Sequence, residues 1–157
     1  MLLLCARLAT SHFVLLDPVS LGFDDENEGV APCGSFNATD RTNVTNWPVK
    51  GAAIGFLTTH TNAVFEFNTA LLSTPNNWVP LTKDLNQTGV GQFCEPQIPA
   101  REDWKGKNGI LQVIQHSPEG LLYQCAAIKF TGGPKAATPS ACFNDTGTAA
   151  IWVGHHH

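Results

Sequence analysis

The chain has 157 residues, of which 43% are hydrophobic and only 14% charged, and its formal net charge is −4 at pH 7. This length and composition suit one domain with one buried core. The weak negative charge excludes the basic field that attracts nucleic acid or an anionic membrane, and no apolar run reaches the roughly 18 residues of a membrane-spanning helix.

The two ends of the chain are typical of processing segments. Residues 1–11 are apolar and finish in small residues, as a secretory leader does, although a basic start is missing. Cleavage after Ser11 leaves His12 at the amino terminus. Residues 155–157, three histidines, are typical of a purification tag. We therefore expect one domain over residues 12–154.

Short β-leaning runs follow the leader. The first, Phe13 to Leu16, is closed by Pro18. The acidic segment from Gly22 to Gly29 is predicted to be a solvated loop; a metal-facing or calcium-binding loop is the alternative, although the EF-hand spacing is missing. Residues 31–50 are rich in Pro, Gly, Asn, Asp and Thr, which predicts irregular structure.

The clearest strands lie in the middle and second half of the chain. Runs at 51–59 and 63–72 have alternating apolar positions and flank a turn at His60. Residues 73–91 are turn-rich, and strand character returns briefly at 92–94. After a loop at 97–108, the runs 109–115 and 121–130 form the clearest hairpin. No run has the apolar spacing of an amphipathic helix, so the sequence predicts an all-β, two-sheet sandwich.

Cysteines and sequons indicate the secretory route. Removal of Cys5 with the leader leaves four cysteines without a C-x-x-C pair, which predicts two disulfides in a secreted chain. Cys125 lies within a predicted strand and can anchor the irregular N-terminal segment, so among three allowed pairings we favour Cys33 with Cys125 and Cys94 with Cys142. Four N-x-T sequons predict glycosylation at Asn37, Asn43, Asn86 and Asn144.

Three histidines remain outside the terminal three, and each lies where a predicted strand begins or ends: His12, His60 and His116. Strand ends and loops are where sandwich folds present binding sites. A processed His12 offers an α-amino and an imidazole nitrogen to one ion, and a second histidine completes a T-shaped set of three nitrogens. Cu(II) favours such a geometry. A single histidine is more often structural than a ligand, but the three positions together favour a metal site.

Other chemistries lack their motifs. The chain has no H-E-x-x-H helix, no G-x-S-x-G turn and no phosphate-binding glycine loop. Carboxylates for a glycosidase pair are present, but no spacing selects two of them. The available residues are Asp84, Glu95, Glu102, Asp103 and Glu119.

Several short motifs, in order, resemble one known family, the fungal X325 or copper acquisition factor Bim1-like proteins, which are relatives of lytic polysaccharide monooxygenases. The similarity covers most of the chain after residue 11. The matching pieces are His12-Phe13, Pro18 with the acidic loop, Pro32-Cys33-Gly34, Trp47-Pro48, Gly51, the strand ending at His60, Gly91-Gln92-Phe93-Cys94, Ile110-Leu111-Gln112-Val113 and Gly120 to Ala126.

The resemblance implies an immunoglobulin-like (fibronectin-III-like) antiparallel β-sandwich with one copper ion in a histidine brace made by His12 and His60. It also implies a secreted monomer, held at the fungal cell surface by a lipid (GPI) anchor in its full-length form. Copper acquisition or wall interaction is the implied role, with a membrane copper transporter or a wall component as partner. The family is understood to lack polysaccharide cleavage.

Two positions depart from the family pattern, and two other functions stay open. Many relatives have Cys-Ala-Asp where this chain has Cys125-Ala126-Ala127. In the family an Asp after the penultimate strand reaches the copper, and His116 occupies that position here; it either binds copper or lies beside a ligand, and Asp103 is a weaker substitute. An active polysaccharide monooxygenase is the alternative, which would need exposed rings from Trp47, Trp78 or Trp104. A secreted glycoprotein without a metal is the third possible function, and it applies if His12 is not the processed terminus.

Overall fold

The computed structural model describes residues 12–154, so the leader and the terminal histidines lie outside the described residues. One 3₁₀ turn, Glu102–Trp104, is the sole helical element of this range, which contains no helix able to cross a bilayer. Ten strands make up the rest of the regular structure: β1 (Phe13–Asp17), β2 (Val44–Pro48), β3 (Ala52–Thr58), β4 (Asn62–Leu71), β5 (Val79–Pro80), β6 (Asp84–Thr88), β7 (Gly91–Ile98), β8 (Asn108–Ser117), β9 (Gly120–Thr131) and β10 (Ala149–Val153).

The strands form two sheets. The smaller has the order β1-β3-β7, and the larger has the order β10-β6-β4-β8-β9-β2, with β5 also paired to β4. The predicted all-β, immunoglobulin-like sandwich is confirmed. One pair departs from the antiparallel expectation, because β2 runs parallel to β9. No hairpin joins these two strands, so no tight turn imposes an antiparallel direction on them.

The core lies between the two sheets and is rich in phenylalanine. Phe56 from β3 stacks on Phe65 from β4 with ring centroids 4.1 Å apart, and both rings are fully buried. Along β4, buried Phe65 and Phe67 alternate with the partly buried Val64 and Glu66. This alternation separates a core-facing side of the larger sheet from an outer side.

The segment between β1 and β2 runs along the edge of β9 and over part of that outer side, where the Gln112 side chain donates to the Pro32 carbonyl at 2.9 Å. The Leu21 amide donates to the Cys125 carbonyl at 2.8 Å, and the Tyr123 amide donates to the Glu28 carbonyl at 2.8 Å. The predicted solvated loop is therefore only partly correct: Asp25 is exposed, but the Glu28 side chain is 1% exposed. The Glu28 backbone lies along β9, and its side chain points into the protein, where it contacts Phe13 and Gln124.

Both disulfides have the predicted pairing. Cys33 is bonded to Cys125 and fastens the covering segment to β9, with the two Cα atoms 5.1 Å apart. Cys94 is bonded to Cys142 and fastens the C-terminal segment to β7.

Four strands were not predicted from sequence, and the two-residue β5 in the turn-rich segment 73–91 is the shortest of them. β2 and β6 lie in segments expected to be irregular or turn-rich, and β10 lies in a segment with no predicted strand. The β6 sequence, Asp-Leu-Asn-Gln-Thr, has one apolar residue, so its strand form depends on the ladders that it shares with β4 and β10. Local propensity does not contain that tertiary information.

Candidate metal centre

His12 immediately precedes β1 and is held against the end of β3. Its backbone nitrogen donates to Thr59 Oγ1 at 2.9 Å, and its carbonyl accepts from the Thr59 backbone nitrogen at 3.1 Å. The imidazole Nε2 lies 3.0 Å from the Asp25 carbonyl oxygen, and the ring meets Phe23 edge-on at 6.2 Å. The acidic segment therefore forms one wall beside the His12 ring.

His60 lies at the same end of the smaller sheet. Phe13 is opposite Thr58 in the antiparallel ladder between β1 and β3, so the residue before Phe13 and the residues after Thr58 come together beyond the last pair. Both candidate histidines occupy this end because of that register.

The His60 side chain has an unsatisfied nitrogen. Its Nε2 atom is buried and has no hydrogen-bond partner within residues 12–154. Burial lowers the pKa of His60; the nearby Glu119 carboxylate opposes this shift, and His12 adds to it. A neutral imidazole with an unused nitrogen is the form in which histidine binds a metal.

A copper brace would draw on His12, with its terminal amine if the chain is cleaved after Ser11, and on His60. Among the described residues, no three His, Cys, Asp or Glu side chains converge closely enough to enclose a metal. A brace does not need three, because two imidazoles and one terminal amine supply its nitrogens. The unsatisfied Nε2 of His60 and its closeness to His12 are what such a donor set requires.

Glu119 is an acidic neighbour that the sequence analysis did not assign to the site. It lies in the turn between β8 and β9, where its amide donates to Ser117 Oγ at 3.2 Å, and its negative charge acts on His60. The packing of the larger sheet on the smaller brings this turn near His60, and no spacing in the sequence indicates that proximity.

His116 has a different partner. Its Nε2 atom lies 2.5 Å from Glu66 Oε2, and the pairing of His116 with Val64 places it on the outer side of the larger sheet. Asp103, the weaker substitute, is bound by Arg101, whose guanidinium holds the pKa of that carboxyl below its usual range. The structure thus brings His12 and His60 together, and it engages His116 and Asp103 with other residues.

Buried polar groups lie next to the two histidine segments. Glu28 accepts a hydrogen bond from the Phe13 amide at 3.4 Å and another from the Gln124 side chain. Burial raises the pKa of Glu28 to about 7, although these two hydrogen bonds and His12 oppose the shift. Gln115 donates to Thr58 Oγ1 at 2.7 Å. A glutamine within a strand has no motif around it, so the sequence analysis did not identify these groups.

Comparison with known proteins places the chain in a family. A family model described as copper acquisition factor BIM1-like matches residues 10–147. An Aspergillus fumigatus protein is 32% identical over 96% of this chain and 66% of its own length. The lytic polysaccharide monooxygenase-like protein X325 of Yarrowia lipolytica is 29% identical over 90% of this chain and 57% of that protein.

The copper acquisition factor BIM1 of Cryptococcus neoformans var. grubii is 25% identical over 94% of this chain and 72% of that protein. The chain spans 66% of the length of the Aspergillus relative and 57% of the length of the Yarrowia relative. The family and these names support a role connected with copper. By the match over residues 10–147, the chain belongs to the copper acquisition factor BIM1-like family.

Proposed function

We propose that this protein holds one Cu(II) ion outside the cell, bound by the α-amine and imidazole of a processed His12 and by the imidazole of His60. The observation that carries the proposal is the buried His60 Nε2 atom, which has no hydrogen-bond partner within the described range and lies at the same end of the sheet as His12. Burial of an unsatisfied ring nitrogen costs free energy unless a ligand completes it.

The protonation chemistry of the donors supports this assignment. Each nitrogen must lose its proton before it can bind copper. Burial lowers the pKa of His60, which favours the neutral ring at neutral pH. The α-amine has an unperturbed pKa of roughly 7.7 to 8, so copper competes with one proton there. Affinity should therefore fall as the pH falls.

We assign the bound copper to acquisition at the surface of a fungal cell, with a membrane copper transporter or a wall component receiving it. The family description and the name of the Cryptococcus relative support the copper-acquisition part of this proposal. Two of the three tryptophans considered for an aromatic sugar-binding face, Trp47 and Trp104, are buried, whereas Phe23 beside His12 is exposed. The proposed function does not include polysaccharide cleavage.

The test compares two amino termini of one protein. Calorimetry with Cu(II) should show tight binding to a protein that begins at His12, and strong weakening when one Ala precedes His12, because the amine becomes an amide while every side chain is kept. His60→Ala should weaken binding similarly. N-terminal sequencing of the secreted protein establishes which terminus exists. Equal affinity of the processed and extended forms would refute the brace.

A further inference from the structure

We propose that Gln124 and Gln115, two buried glutamines on adjacent strands of the larger sheet, are positioning residues that reach across the core and set the places of His12 and His60. This inference rests on the proposed copper site and adds the residues that organise it. Each glutamine acts on one histidine-bearing segment of the smaller sheet.

Gln124 acts on the His12 segment. Its side-chain Oε1 accepts from the Leu15 amide at 2.9 Å, and its Nε2 donates to the Phe13 carbonyl at 2.5 Å. These two hydrogen bonds to the backbone of β1 resemble those of a neighbouring strand. They lie on the edge of β1 that is not paired with β3. The same Nε2 also donates to Glu28, which in turn accepts from the Phe13 amide. The backbone next to His12 is therefore held from both sides, by β3 on one edge and by Gln124 with Glu28 on the other.

Gln115 acts on the His60 segment through one intermediate residue. Its Nε2 donates to Thr58 Oγ1 at 2.7 Å, and the same hydroxyl oxygen accepts from the His60 backbone amide at 3.2 Å. Gln115 and Thr58 are both fully buried. The Thr58 hydroxyl, at the end of β3, therefore links the Gln115 side chain on β8 to the backbone of His60.

The two glutamines are neighbours in the larger sheet. Gln115 on β8 is opposite Leu122, and Gln124 lies two residues further along β9, so both side chains are on the core-facing side. Burial of an amide at this depth is costly, and Gln115 Oε1 has no hydrogen-bond partner among residues 12–154. An apolar side chain would avoid that cost. The two glutamine side chains are best explained by the backbone segments that they hold, next to His12 and next to His60.

Gln112 provides a matched control. It lies on the same strand as Gln115 and is 4% exposed, but it is on the outer side of the sheet. It also makes two hydrogen bonds, from Asn68 Nδ2 at 3.0 Å and to the Pro32 carbonyl at 2.9 Å. A change at Gln112 tests the cost of removing a buried glutamine that makes no hydrogen bond to β1 or to residues 58–60, although it does bind the covering segment at Pro32.

The experiment uses the protein that begins at His12 and compares Gln124→Met, Gln115→Met, Thr58→Val and Gln112→Met, with Thr58→Ser as the variant that keeps the hydroxyl. Gln115→Met should resemble Thr58→Val, because Gln115 acts on His60 through that hydroxyl. Copper affinity is measured by competition with a chromophoric chelator, the Cu(II) environment by electron paramagnetic resonance, and stability by thermal unfolding. Gln124→Met and Thr58→Val should raise the Kd by roughly 10- to 100-fold, the range found for residues that orient metal ligands. Gln112→Met should lower stability with an unchanged Kd and spectrum, and Thr58→Ser should restore binding.

A metal-free measurement separates this inference from the proposed function. In the apo protein, the NMR signals of the His12 and His60 rings should shift in Gln124→Met and Thr58→Val, and they should stay in place in Gln112→Met. If the unaltered protein binds no copper while these shifts occur, the proposed function fails and the positioning role stands. Unmoved ring signals, or equal weakening of copper binding by Gln112→Met, would overturn the positioning role.

Discussion

His116 and Glu66 lie diagonally across neighbouring strands of the larger sheet, with 2.5 Å between Nε2 and Oε2. The His116 side chain is 30% exposed and that of Glu66 is 26% exposed, so water screens the contact only in part. The histidine that resembled a third metal ligand in the sequence therefore already has a carboxylate partner. This partner lies on β4, and the ladder with β8 brings it into reach.

We predict that His116→Ala lowers the free energy of unfolding by about 1 kcal/mol, the usual worth of one hydrogen-bonded pair, and leaves copper binding intact. Chemical denaturation measures the first effect, and the nitrogen couplings in the Cu(II) electron paramagnetic resonance spectrum report the second. Glu66→Gln serves as the control, because it changes the same pair from the other side. If His116→Ala loses a nitrogen coupling and Glu66→Gln does not, His116 is a ligand.

Glu28 should make the stability of the metal-free protein depend on pH. Burial raises its pKa from 4.5 to about 7, so the folded protein retains this proton to a higher pH than the unfolded chain. The resulting contribution to stability is complete below about pH 4.5 and is lost as the pH rises through about 7. At about 1.4 kcal/mol for each pKa unit, the loss is about 3 kcal/mol.

The comparison of Glu28→Gln with the unaltered protein isolates this effect. His60 acts in the opposite direction, because its lowered pKa makes the folded state less stable as the pH falls. The difference in unfolding free energy between the two proteins, measured from pH 5 to 8, removes that background. A difference that stays constant over this range would contradict the prediction.

The sequence predicts those parts of the fold that local pattern determines. Alternation along β3 and β4 and the hairpin of β8 and β9 are visible in it, and mid-strand Cys125 leads to the observed disulfide with Cys33. The polar strand β6 is not predicted, because its ladders with β4 and β10 are made by residues distant in the chain.

The site divides in the same way. The sequence singles out His12 and His60 because an expected cleavage point and a strand end mark them, and the register of β1 with β3 places both at one end of the smaller sheet. Glu28, Gln124 and Glu119 reach the histidines only through the packing of one sheet on the other and the course of two loops. A glutamate in a loop or a glutamine in a strand is usually exposed to solvent or without a functional role. Sequence patterns therefore do not identify these three residues as neighbours of the histidines.

Glycans should be attached unequally to the four sequons. Asn37, Asn43 and Asn144 are exposed, whereas Asn86 is in the middle of β6, between β4 and β10, and its amide oxygen is buried. A glycan needs space around the amide, so Asn86 should carry the least. Enzymatic deglycosylation in ¹⁸O-labelled water followed by peptide mass spectrometry measures the occupancy. Equal occupancy at Asn86 and Asn37 would contradict this order.

Copper-loaded protein given a reductant and peroxide should release no oxidised oligosaccharides from cellulose, chitin or xylan. Buried Trp47 and Trp104 cannot stack on a polymer, which leaves no broad aromatic face from these two residues. Mass spectrometry of the soluble fraction is the measurement, with His60→Ala as the control. C1- or C4-oxidised products that disappear in the control would favour the monooxygenase alternative.

The two disulfides should affect stability alike and copper binding differently. They close chain separations of 92 and 48 residues, and the chain-entropy estimate gives each removal a cost of about 4 to 5 kcal/mol. Only the bond between Cys33 and Cys125 fastens the segment that carries Asp25 and Glu28, which contact His12 and Phe13.

We therefore expect the double variant Cys33→Ala with Cys125→Ala to weaken Cu(II) binding, because the wall beside the His12 ring and the Glu28 contact both lose their anchor. The matched variant, Cys94→Ala with Cys142→Ala, should be similarly destabilised and keep its copper affinity, because that bond fastens the C-terminal segment to β7. Both proteins are compared well below their melting temperatures, with affinity from chelator competition and folding from circular dichroism. Equal weakening in the two variants would mean that general loosening of the sandwich, rather than the segment beside His12, controls the metal site.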